Sequence, residues 1–313
     1  MHGFPLFHPQ SPEARSIHEL LLGVLGLCAF ILLLVTGLIA FVCIKFRKKS
    51  DSAEPKPAYG NTKLETLWTA LPFLTLVIVM FFTVRTMIAA SPSDVEGKPD
   101  LIVIGHQWWW EVRYPREGLS DGVTANEVHI PAGKRLLLEL RSADVIHDFW
   151  VPELGRKVDA IPGHPNQIWL EADQPGTYAG FCAEFCGASH AWMKIKVIAE
   201  KADDFQKWQD HEFQPAQFSK ESAPQRGLAL FQSRTCMNCH QVDGLSIPVQ
   251  IGPDLTHVAS RETLVAGALK NDSESLRQWL ENPDRIKPGA HMPRFGFDKN
   301  EMDDLVSFLE SLK

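Results

Sequence analysis

Two long uncharged apolar runs occupy the first ninety residues, after which the pattern breaks into short bursts. No residue between Glu19 and Lys45 is charged, and the apolar run from Leu20 to Ile44 exceeds the roughly 20 residues that cross a bilayer as a helix. A second uncharged run spans Thr66 to Val84 and stops at Arg85. It contains Pro72, which a membrane helix tolerates where neighbouring helices satisfy the freed backbone groups. Together the runs predict a two-helix transmembrane hairpin within residues 1–92. Short β-rich runs follow, at Leu101 to Tyr114, Arg135 to Leu140, Gln167 to Glu171 and Lys194 to Ile198. Turn residues separate them at Pro131-Ala132-Gly133, Pro162-Gly163 and Gln174-Pro175-Gly176. This alternation predicts an antiparallel all-β sandwich or barrel over residues 97–212, closed by a helical segment near Ala202 to His211. Residues 213–223 read as a polar linker. Apolar spacing at Leu228 to Phe231, Leu264 to Leu269, Leu276 to Leu280 and Met302 to Leu312 predicts several helices, and hence a separate all-α domain over residues 224–313.

Charge orients the hairpin. The connector carries Lys45, Arg47, Lys48, Lys49, Lys56 and Lys63 against Asp51 and Glu54, and such a basic cluster stays on the cytoplasmic side. Everything after about Ser91 then lies in an oxidising compartment. No basic leader precedes the first run and no small-residue cleavage site follows it, so it reads as a retained anchor. Cys28 and Cys43 fall inside it and read as packing residues. The chain has a formal net charge of −7. Residues 97–212 hold 12 basic and 18 acidic side chains, and residues 223–313 hold 10 and 12. That balance argues against nucleic acid and for a basic partner.

Cys182-Ala183-Glu184-Phe185-Cys186-Gly187-Ala188-Ser189-His190-Ala191-Trp192-Met193 places two thiols, an imidazole and a thioether between two strands. Thiolate, imidazole and thioether donors select copper. A single blue-copper centre needs one Cys, so the second implies a dinuclear centre bridged by both thiolates. Each copper then needs an imidazole. His190 supplies one, and His147, upstream of Phe149-Trp150, is the candidate for the other. Met193 completes one copper and a backbone carbonyl near Glu184 the other. The competing reading is a Cys182–Cys186 disulfide; zinc fits less well because a closed zinc site has no use for the thioether.

Cys236-Met237-Asn238-Cys239-His240 is a C-x-x-C-H sequence, in which both thiols bond a haem and His240 ligates its iron. A redox disulfide motif is the rival, but it belongs in an α/β context that this tail lacks. Met292, followed by Pro293, is the candidate sixth ligand, with His291, His257 and Met302 as alternatives. His/Met ligation leaves no open position and suits an electron carrier.

The copper-ligand stretch resembles subunit II of cytochrome c oxidases, whose pattern is C-x-E-x-C-x-x-x-H-x-x-M; all five fixed positions match. The resemblance runs from about residue 10 to 212, and includes His147 and Asp159-Ala160-Ile161-Pro162-Gly163. It implies a cupredoxin fold with a dinuclear copper A site. Glu184 is implied to bind copper by its carbonyl and to share a magnesium ion with subunit I by its carboxylate; a solvated loop carboxylate is the alternative. Gly105-His106-Gln107-Trp108-Trp109-Trp110 reads by itself as a strand whose alternation buries some indoles and exposes others. The family implies that Trp108 is the exposed indole where electrons enter. Glu65, three residues after Thr62, suffices as a capping box for the second helix, and the family implies that it also marks the mouth of a proton path.

The tail is similar to class I cytochromes c through C-x-x-C-H, Gly252-Pro253-Asp254-Leu255 and the Met-Pro pair. A copper subunit with a fused cytochrome c is similar to the caa type of oxidase. The resemblance implies a bacterial inner-membrane subunit with its copper and haem c domains on the periplasmic side. Its implied partners are subunit I, further oxidase subunits, the lipid bilayer and an external donor such as cytochrome c. Electrons would pass to the haem of subunit I, where oxygen is reduced to water and protons are pumped. Two alternatives stand beside this: the electron-receiving subunit of a copper-A nitric oxide reductase, and a non-enzymatic copper or redox carrier.

Overall fold

A computed structural model describes residues 5–48, 57, 59–91, 97–117, 121–245 and 251–313. Lys49, Asp51, Glu54 and Lys56 of the basic connector lie outside the described residues. The chain forms two compact units, Arg15–Ser91 and Met1–Ala14 with Pro92–Lys313.

The first unit holds helix α2 (Thr62–Ala90) and all but the first three residues of helix α1 (Pro12–Lys45), both longer than the apolar runs that predict them. At 1.5 Å per residue α1 alone reaches about 51 Å, more than the roughly 30 Å hydrocarbon core of a bilayer. Large apolar side chains such as Leu33, Ile44, Phe73 and Leu76 are exposed, as expected of a surface that lipid covers. The cap of α2 corrects the sequence reading by one residue. Asn61, not Thr62, is the N-cap, accepting a hydrogen bond from the Leu64 amide at 3.3 Å, while Glu65 Oε1 accepts from the Asn61 amide at 3.0 Å. Thr62 already has helical backbone, and its carbonyl accepts from Thr66 Oγ1.

In the second unit ten strands form a sandwich. They are β1 (Leu101–His106), β2 (Trp109–Tyr114), β3 (Gly122–Ala125), β4 (Glu127–Pro131), β5 (Leu136–Ser142), β6 (His147–Trp150), β7 (Val158–Ala160), β8 (Asn166–Leu170), β9 (Gly176–Cys182) and β10 (Lys194–Glu200). Two five-stranded sheets result, ordered β3-β2-β1-β5-β8 and β4-β10-β9-β6-β7. The expected antiparallel arrangement needs correction: β1 pairs with β5, and β4 with β10, in parallel. Side-chain alternation specifies a buried face and carries no strand direction, so the pattern could not reveal this. Inward-facing Trp110, Val112, Leu138, Leu140, Phe149, Ile195 and Val197 fill the space between the sheets, each contributing about 1.5–3 kcal/mol when fully buried. Helix α3 (Ala202–Glu212) packs Trp208 against Tyr114 and stacks it on His129. Residues 213–221 have no regular structure, yet Phe213 packs on Tyr114 and Ala216 is buried.

The C-terminal part is built on α4 (Ser222–Ser233), α5 (Ser273–Glu281), α6 (Pro283–Ile286) and α7 (Lys299–Ser311). Gly227 lets α4 approach α7, since a Cβ there would lie 2.1 Å from the Asp304 carbonyl oxygen. Phe231 meets Phe308 beside it, and Arg226 grips Asp304 with two bonds of 2.7 and 2.6 Å. Asp298 and Glu301 form a capping box for α7. The expected helix at Leu264 to Leu269 is absent. A small hairpin, β11 (Thr263–Leu264) and β12 (Leu269–Lys270), stands there instead. Val265, Ala266 and Gly267 have φ of 55°, 55° and 77°, a left-handed run that no right-handed helix admits.

The expected split of buried and exposed indoles is also overturned, because Trp108, Trp109 and Trp110 are all buried. Only Trp109 and Trp110 lie in β2; Trp108 sits in the turn from β1. Trp110 faces the core. Trp109 stacks on His106 at 4.3 Å and is covered by Ala266 of the cytochrome-like part.

Candidate functional site

Alternation along β9 buries Tyr178, Gly180 and Cys182 on one face, so the strand ends with its thiol pointing inward. Strand β6 pairs with it, Phe149 opposite Cys182, and brings His147 alongside. Gly105 permits this approach, since a Cβ there would lie 2.6 Å from the His147 ring. The chain then loops through Cys186 and a single 3-10 turn, His190–Trp192, before entering β10. Cys182 N donates to Met193 O at 2.9 Å, which closes the loop.

Six expected donors converge here. Cys182 Sγ lies 3.8 Å from Cys186 Sγ and 3.9 Å from His147 Nδ1. Cys186 Sγ lies 3.5 Å from His190 Nδ1 and 3.8 Å from Met193 Sδ. The Glu184 carbonyl oxygen is 3.2 Å from Cys182 Sγ, while its side chain is exposed. A sulfur separation of 3.8 Å is far beyond the roughly 2.05 Å of a disulfide, and both cysteines are free. Two sulfurs flanked by one imidazole each, with a thioether and a carbonyl at opposite ends, is a donor set that fits a bridged copper pair.

Electrostatics favours one thiolate, on Cys182, beside a Cys186 thiol. The hydrogen bond from the Cys186 thiol holds Cys182 down to about 3, and the same bond, with burial, pushes Cys186 up. Burial would lower the His147 pKa, but bonds to Asp144 and Cys182 carry it above its ordinary value. Asp144 Oδ1 sits 2.8 Å from His147 Nε2, which leaves Nδ1 for a metal and orients the ring. Nothing in the sequence spacing marks Asp144.

The haem candidate is a cavity of about 340 Å³ lined by Cys236, Cys239, His240 and Met292, with an apolar wall that includes Phe231, Leu255, Leu276 and Trp279. His240 Nδ1 bonds the Pro253 carbonyl at 2.8 Å, so Nε2 is the nitrogen left for iron. Gly252 cradles the ring: a Cβ there would lie 2.6 Å from His240 Cε1. Apolar walls, two thiols and an oriented imidazole fit a covalently held haem. Of the alternative sixth ligands, His291 lines the cavity beside Met292, whereas His257 and Met302 do not. His257 Nε2 instead meets the Gln214 carbonyl oxygen at 2.9 Å.

Between the two sites stands Trp108. Its Nε1 donates to the Cys186 carbonyl at 3.0 Å, joined there by Gln107 Nε2 at 2.8 Å, and its ring lies 5.2 Å from that of His291 at the cavity wall. The cytochrome-like part covers it, so the indole expected to be exposed is 7% exposed. Lys287, itself buried, donates from Nζ to the Trp108 carbonyl. Ser189 Oγ donates to Pro288 O. Glu127 Oε1 accepts from Thr263 N at 2.9 Å and Oγ1 at 2.8 Å, and its Oε2 accepts from Glu262 N at 3.0 Å. Lys287, Glu127, Glu262 and Thr263 lie outside every motif, and Ser189 falls at a variable position of the copper-ligand pattern.

Comparison with known proteins covers nearly the whole chain. The family description "Cytochrome C oxidase subunit II, transmembrane domain" matches residues 2–86, "Cytochrome C oxidase subunit II, periplasmic domain" residues 119–200 and "Cytochrome c" residues 224–313. Cytochrome c oxidase subunit 2 of Alkalihalophilus pseudofirmus is 36% identical over 97% of this chain and 90% of that one. The Bacillus subtilis protein of the same name is 31% identical over 87% and 82%. Among solved structures, the periplasmic domain of subunit II of cytochrome oxidase (CoxB) of Bradyrhizobium japonicum is 33% identical over 37% of this chain and 95% of that one, with a TM-score of 0.34.

Proposed function

Because the chain belongs to the cytochrome c oxidase subunit 2 family, we propose that it carries electrons from an external donor, through haem c and then copper A, to subunit I, where oxygen is reduced to water and protons are pumped. It is an oxidoreductase subunit with a membrane anchor, a copper A domain and a fused cytochrome c domain. When bound, haem c and the copper pair each take up and release single electrons. The protein's part is to hold both and to connect them.

Cys182, Cys186, His147, His190, Met193 and the Glu184 carbonyl hold the copper pair. Cys236 and Cys239 hold the haem covalently, with His240 and Met292 on its iron. Trp108 carries the reading of the path, because it lines the haem cavity and donates a hydrogen bond to the carbonyl of a copper-bridging cysteine. The cytochrome domain covers Trp108, so the external donor delivers to haem c. The exposed Glu184 carboxylate is free to meet subunit I and share a magnesium ion with it. Glu65 serves α2 as a cap partner and marks the proton-path mouth. The copper and haem domains face the periplasm from a bacterial inner membrane.

Rapid-kinetic reduction of the full chain tests the path. Trp108→Phe keeps an aromatic ring, though a smaller one, and loses the Nε1 donor to Cys186. Haem-to-copper transfer is expected to slow at least tenfold with both spectra unchanged. An unaltered rate would place the path elsewhere.

A further inference from the structure

Outside the copper and haem sites, a cluster of potential metal ligands spans the copper and cytochrome domains. His211 and Glu212 end α3, and His257 precedes a 3-10 turn at Val258–Ser260. One ligand atom from each lies within 4.8 Å of the others. From these residues we propose a third metal site, formed by His211, Glu212 and His257, that binds a divalent ion of the zinc class and pins the two domains together.

The donor set is two imidazoles and a carboxylate, which zinc accepts with water in the fourth position. His257 supplies the second observation. It is 2% exposed, its Nε2 is committed to the Gln214 carbonyl, and its buried Nδ1 has no hydrogen-bond partner. A buried imidazole nitrogen without a partner is costly unless something occupies it. Glu212 is 7% exposed, and burial raises its pKa although Arg261 lies near enough to oppose that. Arg261 Nη2 donates to the Asp254 carbonyl at 2.6 Å.

His211 is exposed, and its ring meets that of His257 at 4.9 Å between centroids. Donor atoms in a closed tetrahedral zinc site stand ~3.4 Å apart, so the cluster would draw together around the ion. A cavity of about 510 Å³ lined by His211, His257, Gln214 and Phe218 gives the ion a route in. Residues 213–221, which connect the domains, run between the proposed ligands. An ion here would therefore tie the start of the connection to the cytochrome domain.

The test uses the full chain, loaded with copper and haem and then cleared of loosely held ions with a chelator. Titration with Zn²⁺ is followed by calorimetry, and with Co²⁺ by visible absorption. One ion per chain beyond the copper pair is expected. His211→Ala and Glu212→Gln should each weaken binding at least tenfold and remove the Co²⁺ absorption, with copper and haem spectra unmoved. His211 is exposed, so its replacement leaves folding intact. As a second readout, Zn²⁺ should slow proteolysis within residues 213–221 in the parent chain and not in His211→Ala. No binding to the parent chain, or equal binding to both variants, would overturn the site.

Discussion

Glu127 offers a way to loosen the two electron-transfer domains without touching a ligand. It lies in β4 of the copper domain, 2% exposed, and its carboxylate accepts three hydrogen bonds from Glu262 and Thr263 of the cytochrome domain. Bonds to a charged acceptor are worth about 1.5–3 kcal/mol each. Water recovers part of that when the domains separate, so a net loss of roughly 3 kcal/mol is a reasonable scale. Such a loss lowers the docking constant about 100-fold. The neighbouring Lys196–Glu262 pair, 2.8 Å apart and partly exposed, cannot compensate, since exposed pairs contribute about 0–1 kcal/mol. Glu127→Ala should leave the copper and haem spectra unchanged while haem-to-copper transfer, followed by rapid-kinetic absorption, becomes slower and biphasic as re-docking limits it. Glu127→Gln, which keeps an acceptor oxygen, should fall between. Single-phase transfer at the parent rate in Glu127→Ala would refute the claim that this docked arrangement is the conducting one.

Two further outcomes are expected. Gly252→Ala drives a methyl to within 2.6 Å of the His240 ring; overpacking of this kind costs about 1–3 kcal/mol, so the low-spin haem spectrum or the midpoint potential should change, and an unperturbed haem would contradict His240 as the iron ligand cradled by Gly252. Burial holds Lys287 down to about 8, whereas an unfolded lysine titrates near ~10.4. Between those values the folded chain has lost a proton that the unfolded chain keeps, so stability should rise with pH over that window, by roughly 3 kcal/mol. Lys287→Met should flatten the rise in thermal midpoints; an identical slope would show that Lys287 is not the group responsible.

Chemistry confined to a short stretch was legible in the sequence. Cys182, Cys186, His190 and Met193 sit in one loop, so their spacing reports a shared site, and the same holds for Cys236, Cys239 and His240. His147 was reachable because a dinuclear centre needs a second imidazole. Features made by distant segments were not legible. Asp144, Glu127 and Lys287 act through contacts that no spacing encodes, and the burial of Trp108 arises only when the cytochrome domain covers it. Leu264 and Leu269 have helix-like spacing, but Val265, Ala266 and Gly267 take left-handed backbone and turn the segment into a hairpin. Strand direction escaped for a related reason, since alternation is the same in parallel and antiparallel pairs.

On this reading the chain holds a dinuclear copper centre and a haem in electronic contact. Electron paramagnetic resonance of the purified, copper- and haem-loaded chain, with metal content determined on the same sample, decides this. The expected result is two coppers and one haem per chain, one unpaired electron shared over both copper nuclei, and a low-spin haem. A signal from a single isolated copper, or a Cys182–Cys186 disulfide in a chain that takes up no copper, would contradict it.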